Sequence, residues 1–247
     1  MSKTIVITGA NRGIGLALAT AFAAQGHRVI ATARSPQTAT KLNALPNLVG
    51  VVQAELSDLE SLPRVISDLS ALAPEGIDEL WNNAGSASVR GPLTEIDFVK
   101  FHEELAINVV APGALLQGLL PLLRIRNTKK VVFMSSAMGS STVASSIIGR
   151  VLKGEPKPVT ENFFDMNTYC CEKSALTMQA IGWNAALFPE GFTIVPIHPG
   201  WVRTDMTLPN ADLSTDEAVD GLLKTIGAAK PTPDLVLLNY NGNTLPW

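Results

Sequence analysis

The sequence predicts a doubly wound α/β fold: a mostly parallel, seven-stranded sheet with helices on both faces. Three observations carry this. Short β-branched runs alternate with longer stretches of helical spacing along the whole chain, the order that builds parallel sheets. Those runs are apolar throughout rather than alternating, as strands covered on both faces are. The 247 residues are 46% hydrophobic and 17% charged, against roughly 25% charged in an average domain. Such a chain can bury a large core and lacks the low hydrophobicity and high charge of disorder.

The elements follow in order. The first strand, Thr4–Thr8, contains Ile5-Val6-Ile7 and leads into a glycine-rich turn and a helix near 13–25. Strands follow at Arg28–Thr32 and Leu48–Gln53, then a helix near 58–72 and a strand at Glu79–Asn82. A long apolar helix near 98–123 precedes the strand Lys130–Met134. A helix near 168–187, the strand Thr193–His198, a helix near 214–228 and the strand Leu235–Asn239 complete the pattern. Ser214 and Glu217 have the spacing of a capping box. The whole of 1–247 reads as one domain. Two segments break the rhythm: an excursion at about 139–166 with at most a short helix, and a flexible loop at about 204–213. Long loops in compact domains are often functional.

Charge and cysteine content exclude several classes. Twenty-two acids against 19 bases give a net charge of −3, which is no footprint for nucleic acid and no electrostatic membrane anchor. Cys170 and Cys171 are adjacent, so no disulfide framework is expected and a reducing, cytoplasmic setting fits. The opening residues lack the apolar core of a signal peptide. The uncharged window Leu105–Leu123 contains Asn108, Pro112, Gln117 and Pro121 and reads as a buried helix rather than a membrane span. No metal-ligand spacing appears; His27 and His102 read as peripheral and His198 as structural.

The turn Thr8-Gly9-Ala10-Asn11-Arg12-Gly13-Ile14-Gly15 follows the first strand and opens a helix. Its glycines let the backbone approach a pyrophosphate, and the helix's free N–H groups face the anion. Plain helix–strand packing needs a similar turn. Cofactor choice falls at the end of the second strand. NAD enzymes place an acid there for the ribose hydroxyl; here the residues are Ala33-Arg34-Ser35. Arg34 and Arg12 suit a 2′-phosphate, so NADP(H) is expected over NAD(H). Solvated surface arginines are the alternative.

Tyr169 and Lys173 are four residues apart, one above the other on a helix. A phenol has a pKa of about 10, and bringing it near 7 takes about 4 kcal/mol. An ammonium at close range supplies up to about 4 kcal/mol at an effective dielectric near 20. The pair can therefore make a general acid or base at neutral pH.

Together these motifs resemble the short-chain dehydrogenase/reductase family. Four signals match in order: Thr8-Gly9-x3-Gly13-x-Gly15; Asn82-Asn83-Ala84-Gly85; Ser136 with Tyr169-x3-Lys173; and Pro199-Gly200-Trp201-Val202-Arg203-Thr204. The run from His198 to Val202 and the tail from Leu238 are similar to the carbonyl-reductase branch of that family. The resemblance implies a Rossmann fold and an NADPH-dependent oxidoreductase that reduces a ketone or aldehyde of a hydrophobic small molecule. Ser136 would hold the carbonyl oxygen, Tyr169 deliver the proton, and Lys173 lower the phenol's pKa and bond the nicotinamide ribose. Asn108 would anchor a proton-relay water. The cofactor would lie along Thr8, Gly9, Asn11, Arg12, Gly13, Ile14, Gly15 and Arg34. It would continue past Glu55, Leu56, Asn83, Ala84 and Gly85 to Lys173, Pro199, Gly200, Val202 and Thr204. The same parts suit imine reduction or alcohol oxidation, and a signalling protein that binds the cofactor without turnover is the alternative of another class. A homodimer or a monomer is compatible with the sequence.

Three departures stand out. Thirty-two residues separate Ser136 from Tyr169, where the family has a much shorter interval. The excess falls in the 139–166 excursion, expected to wall the substrate with Met138, Phe163 and Phe164, while Trp201 and Met206 flank the cofactor loop. A surface flap or an oligomer contact is the other reading. Glu172 stands where the family often has Ser, and is expected to face solvent or pair with a base. Cys170 and Cys171 replace small residues and read as packing.

Overall fold

The structure, a computed structural model, describes residues 2–153, 164–207 and 211–247; for residues 151, 152 and 164 only the backbone is described. The strands are β1 (Thr4–Ile7), β2 (Arg28–Ala33), β3 (Leu48–Gln53), β4 (Glu79–Asn82), β5 (Lys130–Met134), β6 (Thr193–His198), β7 (Leu237–Asn239) and β8 (Thr244–Leu245). They form one sheet in the order β3-β2-β1-β4-β5-β6-β7-β8. The first seven pair in parallel. The eighth corrects the expected count of seven. It is a two-residue strand antiparallel to β7, with Leu237 opposite Leu245.

The helices are α1 (Gly13–Ala24), α2 (Thr40–Asn43), α3 (Leu62–Leu72), α4 (Phe98–Leu105), α5 (Ala111–Ile125), α6 (Ser141–Leu152), α7 (Asn167–Leu187) and α8 (Thr215–Ala228). They divide between the two faces of the sheet. Alternate residues of each strand point to opposite faces, so Val6, Leu80, Val131 and Phe133 pack with Leu69, Leu115, Leu119 and Leu176 of α3, α5 and α7. Ile5, Ile7, Trp81 and Val132 pack with Leu18 and Phe22 of α1 and Leu222 of α8. Apolar burial on both sides explains why the strands read as unbroken hydrophobic runs.

The long helix near 98–123 is continuous from Phe98 to Ile125, with an irregularity that the sequence did not predict. Between α4 and α5, residues Ala106–Val110 form a π turn, a wide helical turn often found at functional sites. Asn108 sits in that turn. By length and composition Phe98–Ile125 could cross a membrane, yet Leu115, Leu116, Leu119 and Leu123 are fully buried in the core. The excursion after Ser136 holds more structure than expected: α6 is a twelve-residue helix. Its Ser-rich sequence has weak helix propensity.

Strand order reverses between β1 and β4. In doubly wound sheets such a switch point opens a crevice beyond the carboxyl ends of the strands. The glycine turn leaves β1 there and the Asn83–Gly85 segment leaves β4 there.

Candidate active site

Thr8 and Asn83 join the two lips of that crevice. The Thr8 hydroxyl accepts the backbone N–H groups of Asn83 and Ala84, each at 3.0 Å. The Asn83 amide donates back to Thr8 O at 2.9 Å and Gly9 O at 3.3 Å. A side chain at Gly15 would place its Cβ 2.3 Å from Gly9 O and 2.5 Å from Asn83 Nδ2. The turn is thus closed by backbone and amide packing that leaves no room for a methyl group. Arg12 stands at the N-cap of α1 with extended backbone and no capping bond from its side chain, and the first turn has no acidic residue. Its free N–H groups and dipole are left to an anion.

The other cofactor-side residues fall around this turn. Arg34 is exposed just past β2, as is Asn11 in the turn. Arg12 Nη1 donates to Asp205 Oδ2 at 2.7 Å, an exposed ion pair. Glu55 is exposed and accepts from Ser57. Leu56 and Val202 are buried. Thr204 lies beside Gly13, where a Cβ would sit 3.5 Å from the Thr204 methyl. Val202 bridges Leu213, and Arg203 N donates to Leu213 O at 2.8 Å. The loop at about 204–213 is therefore anchored at its base.

The second group of residues lies on the segment after β5 and on α7. Ser135 turns inward, with its hydroxyl 2.6 Å from Thr177 Oγ1. Ser136 lies beside the Tyr169 phenol and holds its pKa down. Gly139 fixes this approach. A Cβ there would lie 2.6 Å from the Lys173 carbonyl carbon, and Gly139 O accepts from Ser174 Oγ at 2.7 Å. Lys173 Nζ donates to Met134 O at 2.8 Å and lies 5.4 Å from the Tyr169 ring centre.

Burial dominates the electrostatics. It pushes the Tyr169 phenol above its ordinary value, against the neighbouring Ser136 and with the Glu172 charge. It pulls Lys173 down to about 8, against the Glu172 charge. Desolvation outweighs the other influences on the phenol. A phenol raised in this way keeps its proton at neutral pH and is an acid in waiting.

A buried polar seam, unforeseen in the sequence, lies behind these residues. Asn108 holds both backbone groups of Ser86: its Oδ1 accepts Ser86 N at 3.0 Å and its Nδ2 donates to Ser86 O at 2.8 Å. The same Nδ2 donates to Glu172 Oε2 at 2.5 Å. Glu104 of α4 accepts from Ser86 Oγ, Ser88 N, Ser88 Oγ and Val89 N. Glu172 does not face solvent, which corrects that half of the expectation: it is 0% exposed, bonded to an amide, and acted on by the Lys173 charge. Its departure from the family's Ser was the signal that could have marked it. Cys171 is exposed rather than packed, while Cys170 is half-buried.

Of the expected substrate contacts, Met138, Trp201 and Met206 are half-buried, and Met206 O accepts from Arg90. Phe163 lies outside the described residues, as does the side chain of Phe164.

Comparison with known proteins agrees with this geometry. The chain is 31% identical over 171 residues to the C-signal protein of Myxococcus xanthus, an alignment covering 69% of this chain and 93% of that protein. It superposes on the NADPH-bound carbonyl reductase from chicken fatty liver with a TM-score of 0.85 at 28% identity, covering 100% of this chain and 99% of the other. It superposes on the carbonyl reductase Sniffer of D. melanogaster with a TM-score of 0.83 at 25% identity, covering both chains fully. The short chain dehydrogenase family model matches residues 3–148, and the chain belongs to that family of oxidoreductases.

Proposed function

We propose that the chain is an NADPH-dependent carbonyl reductase, one domain over 1–247, acting on a ketone or aldehyde of a hydrophobic small molecule. The observation that carries this reading is Lys173 Nζ 5.4 Å from the Tyr169 ring centre and held by Met134 O, with Ser136 beside the phenol. The residues present fit the cofactor. The glycine turn is as tight as backbone allows, α1 offers uncapped N–H groups, and Arg12 and Arg34 are the cations for a 2′-phosphate. The NADPH bound to the chicken carbonyl reductase supports the same choice.

Bound NADPH would supply the hydride. Ser136 donates a hydrogen bond from its hydroxyl to the carbonyl oxygen as negative charge develops there, and keeps its proton. Tyr169 delivers the proton that completes the alcohol, and its raised pKa keeps that proton in place at neutral pH. Lys173 approaches the phenolate that forms and stabilises it. Asn108, fixed by Ser86, orients the turn behind Lys173. Met138, Trp201 and Met206 are the proposed apolar contacts of the substrate.

The test is loss of reduced-nicotinamide absorbance with a panel of aromatic ketones, quinones, aldehydes and imines. Turnover of carbonyls with NADPH, abolished in Tyr169→Phe while NADPH affinity stays near wild type, is the expected result. Full activity in Tyr169→Phe would refute the mechanism. Binding of NADPH with no turnover of any substrate would point to a cofactor-binding protein instead.

A further inference from the structure

Glu172 is the residue that this mechanism leaves unused. Its Oε2 accepts from Asn108 Nδ2 at 2.5 Å, and its Oε1 is buried with no hydrogen-bond partner among the described residues. A fully buried acid with an orphaned oxygen is expensive as mere packing, because an unsatisfied charged group costs its full desolvation.

The surroundings say what it acts on. The titratable groups acting on Glu172, or on Tyr169 beside it, are Glu104 from α4 and Tyr169, Cys170 and Lys173 from its own helix. The π turn contributes the neutral Asn108 amide. Glu104 already has four donors. Lys173 Nζ bonds a neutral carbonyl, and the acid whose charge favours its ammonium is Glu172. Asn108 and Lys173 are close to each other: a Cβ at Gly85 would lie 3.1 Å from Asn108 Oδ1 and 3.7 Å from Lys173 Nζ. Glu172, Asn108 and Lys173 therefore form one buried wall behind the Tyr169 phenol.

We propose that Glu172 is a positioning residue for the reductase reaction, whose ionised carboxylate keeps buried Lys173 as an ammonium while it fixes the Asn108 amide. This rests on the carbonyl-reductase reading above. Burial, reinforced by Glu104, pushes the Glu172 carboxyl up to about 7, against the Asn108 hydrogen bond and the Lys173 charge. The support that it gives Lys173 is therefore weak in mild acid and grows above neutrality, where Lys173 would otherwise lose its proton.

The experiment compares wild type with Glu172→Gln, which keeps an oxygen for Asn108 and removes the charge. NADPH affinity by fluorescence and kcat are measured across the range from about pH 6 to about pH 9. The expected result is a loss in both that is at most about twofold at the acid end and about tenfold at the alkaline end, one pH unit's shift of the basic limb. A loss of equal size at every pH would make Glu172 a packing residue and overturn the proposal, as would no loss at all. Absence of turnover in wild type would count against the reductase reading alone, since the binding curve still reads Lys173. A wild-type measurement guards against misfolding of the variant. The Glu172 carboxyl resonance, followed by carbon NMR, should titrate near neutrality, and an ordinary carboxylate midpoint would overturn the proposal.

Discussion

The Arg12 guanidinium and the Asp205 carboxylate meet at 2.7 Å, so one ion pair straps the glycine turn to the segment beyond β6. Both side chains are more than half exposed, and such pairs are worth about 0–1 kcal/mol. A 2′-phosphate on the same guanidinium offers a charge-assisted bond of about 1.5–3 kcal/mol and would displace the carboxylate. Arg12→Ala should therefore raise the Kd for NADPH roughly tenfold or more, while the Kd for NADH and the Tm change little. Titration of both cofactors by fluorescence reads this directly. Equal weakening of NADH and NADPH would show that Arg12 does not recognise the phosphate. Asp205→Asn, which frees the guanidinium, should tighten NADPH by a few-fold at most.

Two buried groups pull the pH dependence of stability in opposite directions. Burial holds His198, whose Nδ1 has no partner among the described residues, down to about 4 from 6.5. The unfolded chain takes up that proton first, so this stability is complete above 6.5 and is lost as pH falls towards 4. Burial holds the Glu172 carboxyl up at about 7 from 4.5. The folded chain keeps that proton longer, so this stability is complete below 4.5 and is lost as pH rises through 7. Between 4.5 and 6.5 the two slopes oppose each other. Glu172→Gln removes one of them. Its unfolding free energy from urea denaturation should fall on acidification through this window, with a slope approaching about 1.4 kcal/mol per pH unit. Wild type should change less. Parallel profiles for the two proteins would remove the Glu172 assignment, and a flat Glu172→Gln profile would remove the His198 one.

Legibility in the sequence followed the range of the interaction. The glycine turn could be read because its constraint is local: a strand, a tight turn and a helix start within a dozen residues. The strands could be read because both faces of the sheet are buried, so each carries a run of apolar residues. The π turn could not be read, since Asn108 is held by Ser86 and Glu172, both distant in sequence. Strand β8 is two residues long and exists through its pairing with Leu237 and Leu238. Helix α7 buries Thr168, Glu172, Lys173, Thr177 and Asn184, so polarity along it does not report which side is inside. The buried carboxylate was hidden for that reason.

The approach of Gly139 to α7 sets where Ser136 can stand. Ser136 caps the short turn Ala137–Gly139, its Oγ accepting Met138 N at 3.1 Å. The end of that turn presses on the Lys173 backbone, where a methyl group would come within 2.6 Å of the carbonyl carbon and 2.8 Å of its oxygen. Both atoms are main chain in the middle of a helix and cannot swing aside as a side chain would. Gly139→Ala must therefore push the turn away from α7 and carry Ser136 with it. A displacement of about 1 Å at a reacting group can cost on the order of a hundredfold in rate. The glycine cradle stands on β1 and β4 rather than on β5 and α7, so it is not carried along by this shift. The expected outcome is a kcat reduced by roughly tenfold to a hundredfold with NADPH affinity near wild type. A Gly139→Ala protein with undiminished kcat would show that Ser136 does not depend on this contact for its place beside Tyr169.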